Sequence, residues 1–176
     1  MITLSGTPTL ATERLTLRAP VAADWPHWHA FARSPRAAYI GGPMDDRVAW
    51  RAFCHIIGMW VARGYGSFVF CETGTDTPLG HAGPWHPFDW PEPEIGWCLW
   101  SPAAEGKGIA FEAAIATRAF AFTTLGWSTA VSYIDPANAR SIALAERLGA
   151  VLDPHAPQDP DDEDLVYRHP RPEGQA

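Results

Sequence analysis

The chain lacks most features that would name a function at once. No stretch supplies the G-x-x-x-x-G-K-[ST] pattern of a nucleotide P-loop. Its three cysteines, Cys54, Cys71 and Cys98, form no C-x-x-C pair, and each lies in an apolar run. An odd number without a pairing pattern points to buried free thiols in a reducing compartment, not to a disulfide framework. The formal charge is −7 and no cluster of Lys and Arg interrupts it, which argues against a nucleic-acid surface. No uncharged apolar run is long enough to cross a bilayer. The opening Met1-Ile2-Thr3-Leu4-Ser5-Gly6 has no basic region before a long apolar core. No signal peptide and no membrane association are therefore expected, and the expected location is cytoplasmic. Metal chemistry has no support either. His27 and His29 are two apart on a helical stretch and face away from each other, and no Asp, Glu or Cys stands at ligand spacing.

What is present is a chain of 176 residues, 47% of them hydrophobic, with nine tryptophans. That length suits one domain with a real core, and the composition suits a packed globule. An acidic protein favours cationic partners such as amines, although the same charge also serves solubility.

Leu15 and Leu17 alternate with Arg14, Thr16 and Arg18, as in a half-buried strand. Asp24 is placed to cap a short helix with Trp25, Trp28 and Phe31 on one face and Pro26 in its first turn. The next helix is predicted from Asp45 or Asp46 to Ala62, with Trp50, Phe53, Ile57 and Trp60 as its buried face and Arg63-Gly64 as its end. Ser67 to Cys71 reads as a strand. After the Gly74–Pro78 turn, Leu79 to Trp85 pairs back on it, locally weakened by Gly80 and Gly83. Pro84 to Pro93 is a proline-rich loop carrying Trp85, Phe88 and Trp90, either a recognition element or a packed hairpin tip. A strand from Glu94 to Trp100 follows. A helix from about Lys107 to Leu125, apolar on nearly every face, is predicted to be buried and to stop at Gly126. Ala130 to Ile134 is a further strand. Asn138 caps a helix that Gly149 ends, and Leu165 to Arg168 returns as a last strand. Pro154 to Asp164 is expected as an exposed loop, and the chain after His169 as disordered. Periodicity alone gives a mixed α/β layer architecture.

The most informative stretch is Glu105-Gly106-Lys107-Gly108-Ile109-Ala110, a glycine turn between a strand and a helix. Glycines allow close backbone approach, and the first amides of a helix lack internal partners, so the turn suits phosphate oxygens. A dinucleotide fingerprint fits poorly, because Phe111 stands where a third small residue belongs and no acidic residue follows at the required distance. The turn resembles the [QR]-x-x-G-x-[GA] pyrophosphate loop of the GNAT acetyltransferases, with Glu105 replacing the usual Gln or Arg. Asn138-Ala139-Arg140-Ser141, continuing to Arg147-Leu148-Gly149-Ala150, is similar to the N-x-x-S…(K/R)-L-G-(A/F) segment of the branch resembling ribosomal-protein N-terminal (RimJ/RimL-type) acetyltransferases. Thr12 to Arg18 is similar to that branch's opening strand. The pieces occur in the family's order, across roughly Thr12 to Arg168 of a single domain spanning 1–176.

The resemblance implies an α+β fold with a central twisted sheet, mixed but mostly antiparallel, flanked by helices. The strand ending at Trp100 and the one beginning near Ala130 would splay apart, and acetyl-CoA would enter between them. Gly96 to Gly106 is one residue longer than this branch leads one to expect, which a β-bulge near Trp100 would absorb. The backbone of Gly106, Lys107, Gly108, Ile109 and Ala110 would hold the pyrophosphate beside Glu105. The Lys107 side chain would either add charge or face solvent. The strand edge at Leu99 and Trp100 would contact the pantetheine arm and polarise the thioester carbonyl.

Because amines are protonated at neutral pH, a base is useful. Glu94 is the first candidate, against a reading as a plain surface carboxylate; His81 and His86 are the others. Ser141 would donate to the leaving sulfur, or only polarise its helix turn; Asn138 would contact cofactor as well as cap. The tyrosine that many superfamily members place in this helix corresponds to Ala145, so that acid is absent. Trp85 and Trp90 are the expected acceptor contacts. The expectation is thus direct acetyl transfer from acetyl-CoA to an amine, either a peptide or protein N-terminus or a small molecule, by a monomer or homodimer. The alternative is a non-catalytic acyl-CoA-binding module, towards which Glu105 and Ala145 lean. Acceptor, acyl length and oligomeric state are not legible.

Overall fold

Two leucines set the frame of the sheet. In the computed structural model, which describes residues 4–158 and 163–171, Leu15 and Leu17 are fully buried while Thr16 and Arg18 remain partly exposed. That is the expected outcome of strand alternation over a one-sided core. Their strand, β2 (Leu15–Arg18), follows a short β1 (Leu10–Ala11). The remaining strands are β3 (Phe68–Glu72), β4 (Pro78–Trp85), β5 (Glu94–Leu99), β6 (Val131–Ile134), β7 (Val151–Leu152) and β8 (Leu165–Arg168). They form one sheet in the order β1-β2-β3-β4-β5-β6-β8-β7. Every neighbouring pair is antiparallel except β5 with β6. The sheet is therefore mixed and mostly antiparallel, as expected; the insertion of β8 between β6 and β7 was not foreseen.

Helices α1 (Trp25–Ala32) and α2 (Asp46–Arg63) cover one face, where Trp28, Phe31, Phe53 and Ile56 pack with Val69, Cys71 and Trp100. Helix α3 (Ile109–Thr123) covers the other, where Ile109, Ala113 and Phe120 meet Leu15, Leu17, Phe68 and Ala82. Helix α4 (Ala139–Arg147) lies beside β6 and β8 through Ala145, Ile134 and Tyr167. Asp45 caps α2 by accepting from the Val48 amide at 2.8 Å, and Gly64 in the left-handed region ends it.

Several local expectations change. Asp24 does not cap α1 with its side chain; its buried carboxylate holds Arg18 through two bonds of 2.9 and 2.8 Å and the Val21 amide at 2.8 Å. A buried carboxylate needs a full set of partners, and the nearby guanidinium supplies them. On α2, Phe53 and Trp60 are buried as expected, but with Ala49, Ile56 and Met59, and Trp50 is 50% exposed. The stripes 50-53-57-60 and 49-53-56-60 differ by a small rotation, and packing against α1 selects the second. Helix α3 begins at Ile109 because Gly106 and Gly108 both take positive φ, +72° and +73°. It is not buried all round, since Ile115 is exposed. A 3₁₀ segment, Pro35–Ile40, had no sequence signal strong enough to expect.

Gly80 does not merely weaken β4. A Cβ there would lie 2.1 Å from the Cys98 carbonyl oxygen, so glycine permits the approach of β5. The expected bulge has a counterpart at the end of β5, where the Trp100 and Ser101 amides both donate to Leu79 O, at 2.8 and 3.0 Å. In the last segment, Pro154, His155, Pro157 and Gln158 are exposed, and residues 159–162 lie outside the described part. His169 is buried and Arg171 Nε donates to Ser128 O at 2.8 Å, so order extends past the expected limit. Residues 172–176, where disorder was also expected, lie outside the described part. No helix among the described residues is long and apolar enough to cross a membrane.

Candidate functional site

The site begins where two strands stop pairing. Among the described residues, β5 and β6 share one ladder pair, Glu94 with Val131. The Val131 amide donates to Pro93 O at 3.0 Å, and Ser132 Oγ donates to Ile95 O at 2.6 Å. Beyond Ile95 the strands part. The opening is crossed by a side-chain bond, Trp97 Nε1 to Ser141 Oγ at 3.3 Å, from β5 to the first turn of α4. Into it runs a cavity of about 810 Å³, lined by Glu94, Trp90 and Tyr133 as well as by Glu105, Gly106 and Ala110. A second cavity of about 230 Å³ adjoins the turn at Gly106, Gly108 and Ile109. Glu94 opens β5 and the glycine turn follows its far end, so about 17 Å of extended chain separates them.

Alternation decides which backbone groups of β5 face the opening. Ile95 O bonds towards β6, so Trp97 and Leu99 share that direction, while the Trp100 amide turns to Leu79 O on the other side. Leu99 borders the cavity. Trp100 does not: its amide is committed to Leu79, and its carbonyl accepts from Arg36 Nη1 at 2.5 Å.

Arg36, on the 3₁₀ segment, ties this corner together. Its guanidinium also donates to Leu99 O at 2.9 Å and to Glu105 Oε1 through Nε and Nη2 at 3.1 and 2.7 Å. Arg140 Nη1 reaches Glu105 Oε2 at 2.9 Å. Bonding by Arg36 first, and then the charges of both arginines, hold the Glu105 carboxyl below its ordinary pKa. The carboxylate that stands in place of Gln or Arg is thus neutralised by two cations. Below it, Arg14 Nη1 donates to Lys107 O at 2.9 Å, while Arg14 Nε bonds Glu112 at 2.6 Å, bracing the turn against β2 and α3. Lys107 itself is exposed. A Cβ on Gly106 would project into open space, so a ligand can approach the backbone there. The amides opening α3 have no acceptors within the helix. Residues and shape fit a pyrophosphate.

At the other end, the Glu94 carboxyl accepts from Trp90 Nε1 at 2.7 Å. Burial pushes its pKa up to about 7; the bond from Trp90 and the Tyr133 backbone oppose the rise, and Asp164 adds to it. His81 also lines the cavity, but its Nδ1 accepts from Trp100 Nε1 at 2.9 Å and burial pushes its pKa down to about 4. Its remaining proton is on Nε2, so it is a donor in this state. His86 does not line the cavity. Cys98 does, with its thiol pushed up to about 12 by burial. On α4, Asn138 Oδ1 accepts from the Ser141 amide at 3.2 Å, a helix cap, and both side chains border the cavity. Ser141 Oγ accepts from Trp97, which leaves its own proton to give. Ala145 is fully buried with Ile134, Ala150 and Tyr167. His29 is bonded to Asp46 at 2.9 Å, and no group of three or more metal-binding side chains occurs among the described residues.

The structure thus gathers Glu94, Leu99, Glu105, Gly106, Ala110, Asn138, Ser141, Trp85 and Trp90 around one cavity. Gly108 and Ile109 border the adjoining one. Trp100 and Lys107 border neither. Arg36, Trp97 and Tyr133 were missed in the sequence, where none of them sits in a motif.

A family model described as an acetyltransferase (GNAT) domain matches residues 14–151. Among solved structures, an acetyltransferase from Agrobacterium tumefaciens is 44% identical with a TM-score of 0.89, covering 97% of this chain and 99% of its own. RimL, a ribosomal L7/L12 α-N-protein acetyltransferase, shares the fold at 18% identity and a TM-score of 0.70, covering 94% of each chain. So does a spermidine N-acetyltransferase from Vibrio cholerae in complex with CoA and spermine, at 18% identity and a TM-score of 0.68, covering 89% of this chain and 94% of its own.

Proposed function

The chain belongs to the GNAT acetyltransferase family, and we propose that it transfers acetyl from acetyl-CoA directly to an amine in the cavity between β5 and β6. The observation that carries this reading is one continuous cavity bordered by the glycine turn, by Ser141 and by Glu94. Acetyl-CoA supplies an activated thioester. Everything else is done by this chain.

The backbone from Gly106 to Ala110, at the positive end of α3, holds the pyrophosphate, with Arg36 and Arg140 cancelling Glu105. The opening-facing backbone of Trp97 and Leu99 would hold the pantetheine arm, and a backbone amide there would polarise the thioester carbonyl. Glu94 takes the proton from the acceptor ammonium. With its pKa near 7 it is substantially ionised at neutral pH and still basic enough to accept. The freed nitrogen forms the new N–C bond, the C–S bond breaks, and Ser141 Oγ–H donates to the departing sulfur. Trp97 fixes that hydroxyl. A thiol with a pKa of about 8.5 leaves without a stronger acid, so Ala145 is tolerated. Cys98 remains protonated and takes no acyl group, which favours direct transfer over a covalent relay.

The test is thermal unfolding with acetyl-CoA, and with NAD and ATP as controls. A ligand at 100 times its Kd stabilises by about 2.7 kcal/mol, a shift of roughly 5–10 °C for this size. A shift with acetyl-CoA alone supports the reading; none at millimolar concentration overturns it.

A further inference from the structure

The acceptor end of the cavity has walls of rings around one acidic point. Trp85 is the direct cross-strand partner of Glu94. Trp90 bonds the Glu94 carboxyl and meets Tyr133 edge-on, with ring centroids 5.9 Å apart. Trp85 packs on His55 at 4.8 Å, and buried Trp28 closes on His81 at 5.8 Å.

The cations stand elsewhere. Arg36 and Arg140 are the cavity's only Lys or Arg side chains among the described residues, and both are bonded to Glu105. That leaves no guanidinium or ammonium beside Glu94 to meet a carboxylate on the acceptor. Asp164 also borders the cavity and acts on Glu94 as a like charge. Glu94, bonded to Trp90 among these rings, is one acidic point and matches one ammonium, rather than a chain of ammonium groups spread along the walls. Faces of Trp and Tyr favour a cation and an apolar body together. They offer few partners for the successive amides of a peptide.

From this arrangement we infer that the preferred acceptor is a primary monoamine on an uncharged aromatic or bulky apolar body, with no carboxylate next to the reacting nitrogen. The inference rests on the acetyl-transfer reading and narrows it.

It is tested on the full chain with saturating acetyl-CoA, following thiol release. The acceptors are phenethylamine, tryptamine, propylamine, phenylalanine, spermidine and a neutral tetrapeptide with a free N-terminus. The expected result is a kcat/KM for phenethylamine or tryptamine at least tenfold above those for phenylalanine, spermidine and the peptide. It should also exceed that for propylamine tenfold, since added apolar bulk in such a pocket is worth about that factor or more. Trp85→Leu should shrink the phenethylamine-to-propylamine ratio at least fivefold; a ratio taken within one variant is independent of how much protein folds. Equal or better use of phenylalanine, spermidine or peptide overturns the inference. So does an unchanged ratio in Trp85→Leu. If acetyl-CoA stabilises the protein but neither arylalkylamine is acetylated, the inference fails while cofactor binding stands. If acetyl-CoA does not bind, the acetyl-transfer reading itself fails.

Discussion

Arg36 and Glu105 stand 69 positions apart in sequence and 2.7 Å apart in space. The same guanidinium holds the carbonyls of Leu99 and Trp100, so one side chain fixes both the end of β5 and the start of the turn. Arg36→Met should raise the KM for acetyl-CoA by roughly 10–100-fold, the equivalent of about 1.5–3 kcal/mol for bonds to charged groups. Arg36→Lys should recover only part, since an ammonium lacks the planar fork. Steady-state kinetics on both variants checks this; an unchanged KM would show that the turn is held without Arg36.

Glu94 gives a pH signature with a definite sign. Its folded pKa is raised to about 7 by burial, above the ordinary carboxyl value of roughly 4.3. Between those values the folded protein holds the proton more tightly, so this group's contribution to stability falls as pH rises through that window and levels off above it. Glu94→Gln cannot ionise and should escape the loss. Its Tm relative to wild type should therefore climb between pH 5 and 8, while its turnover falls by about 10²–10⁴-fold at the upper end. Parallel Tm curves would mean an ordinary solvated carboxyl.

Ser141→Ala should lower kcat by about tenfold and leave acetyl-CoA affinity nearly unchanged, the pattern of a bond that strengthens as the sulfur departs. Trp97→Phe removes the indole donor that orients the hydroxyl and should move kcat in the same direction by less. Rapid-quench turnover paired with calorimetric binding separates the two quantities.

The thiols should differ in reactivity. Cys54 is exposed, Cys71 is buried, and Cys98 is pushed up to about 12. Iodoacetamide at pH 8 should label Cys54 in the native protein and spare Cys98 until denaturant is added. Mass spectrometry of the digest reads the outcome, and rapid labelling of Cys98 would reopen a covalent relay.

Gly80→Ala should destabilise the fold by about 1–3 kcal/mol or more, because its Cβ would meet Cys98 O and the Phe70 ring at 2.1 and 2.6 Å. Urea unfolding with an unchanged m-value is the check.

What could be read from the chain and what could not divide along the range of the interactions. The alternation at Leu15 and Leu17, the start of α2 at Asp45 or Asp46, the cap at Asn138, the stops at Gly64 and Gly149 and the glycine turn each depend on a few neighbouring residues, so the sequence alone placed them. Asp24 departs from its expected cap because Arg18, at the end of β2, offers its carboxylate a better partner than its own helix does. The face of α2 was misjudged by a rotation that only α1 could choose. Glu94 was singled out from its place at the start of the strand before the glycine turn, and Ser141 and Asn138 from the resemblance of their segment to the family's N-x-x-S pattern; Arg36, Trp97 and Tyr133 were not, since nothing in their neighbourhoods marks them.

The sequence by itself determined the local grammar: ten short segments, their breaks, and a turn shaped for phosphate. Tertiary structure alone decided that β8 slips between β6 and β7, that β5 and β6, whose parting the family resemblance implied, keep one ladder pair, and that Arg36 neutralises Glu105. Those outcomes depend on sheet pairings such as Glu94 with Val131 and Val131 with Arg168, and on a contact between residues 69 positions apart, Arg36 and Glu105; backbone preferences act over one turn or one strand pair at a time.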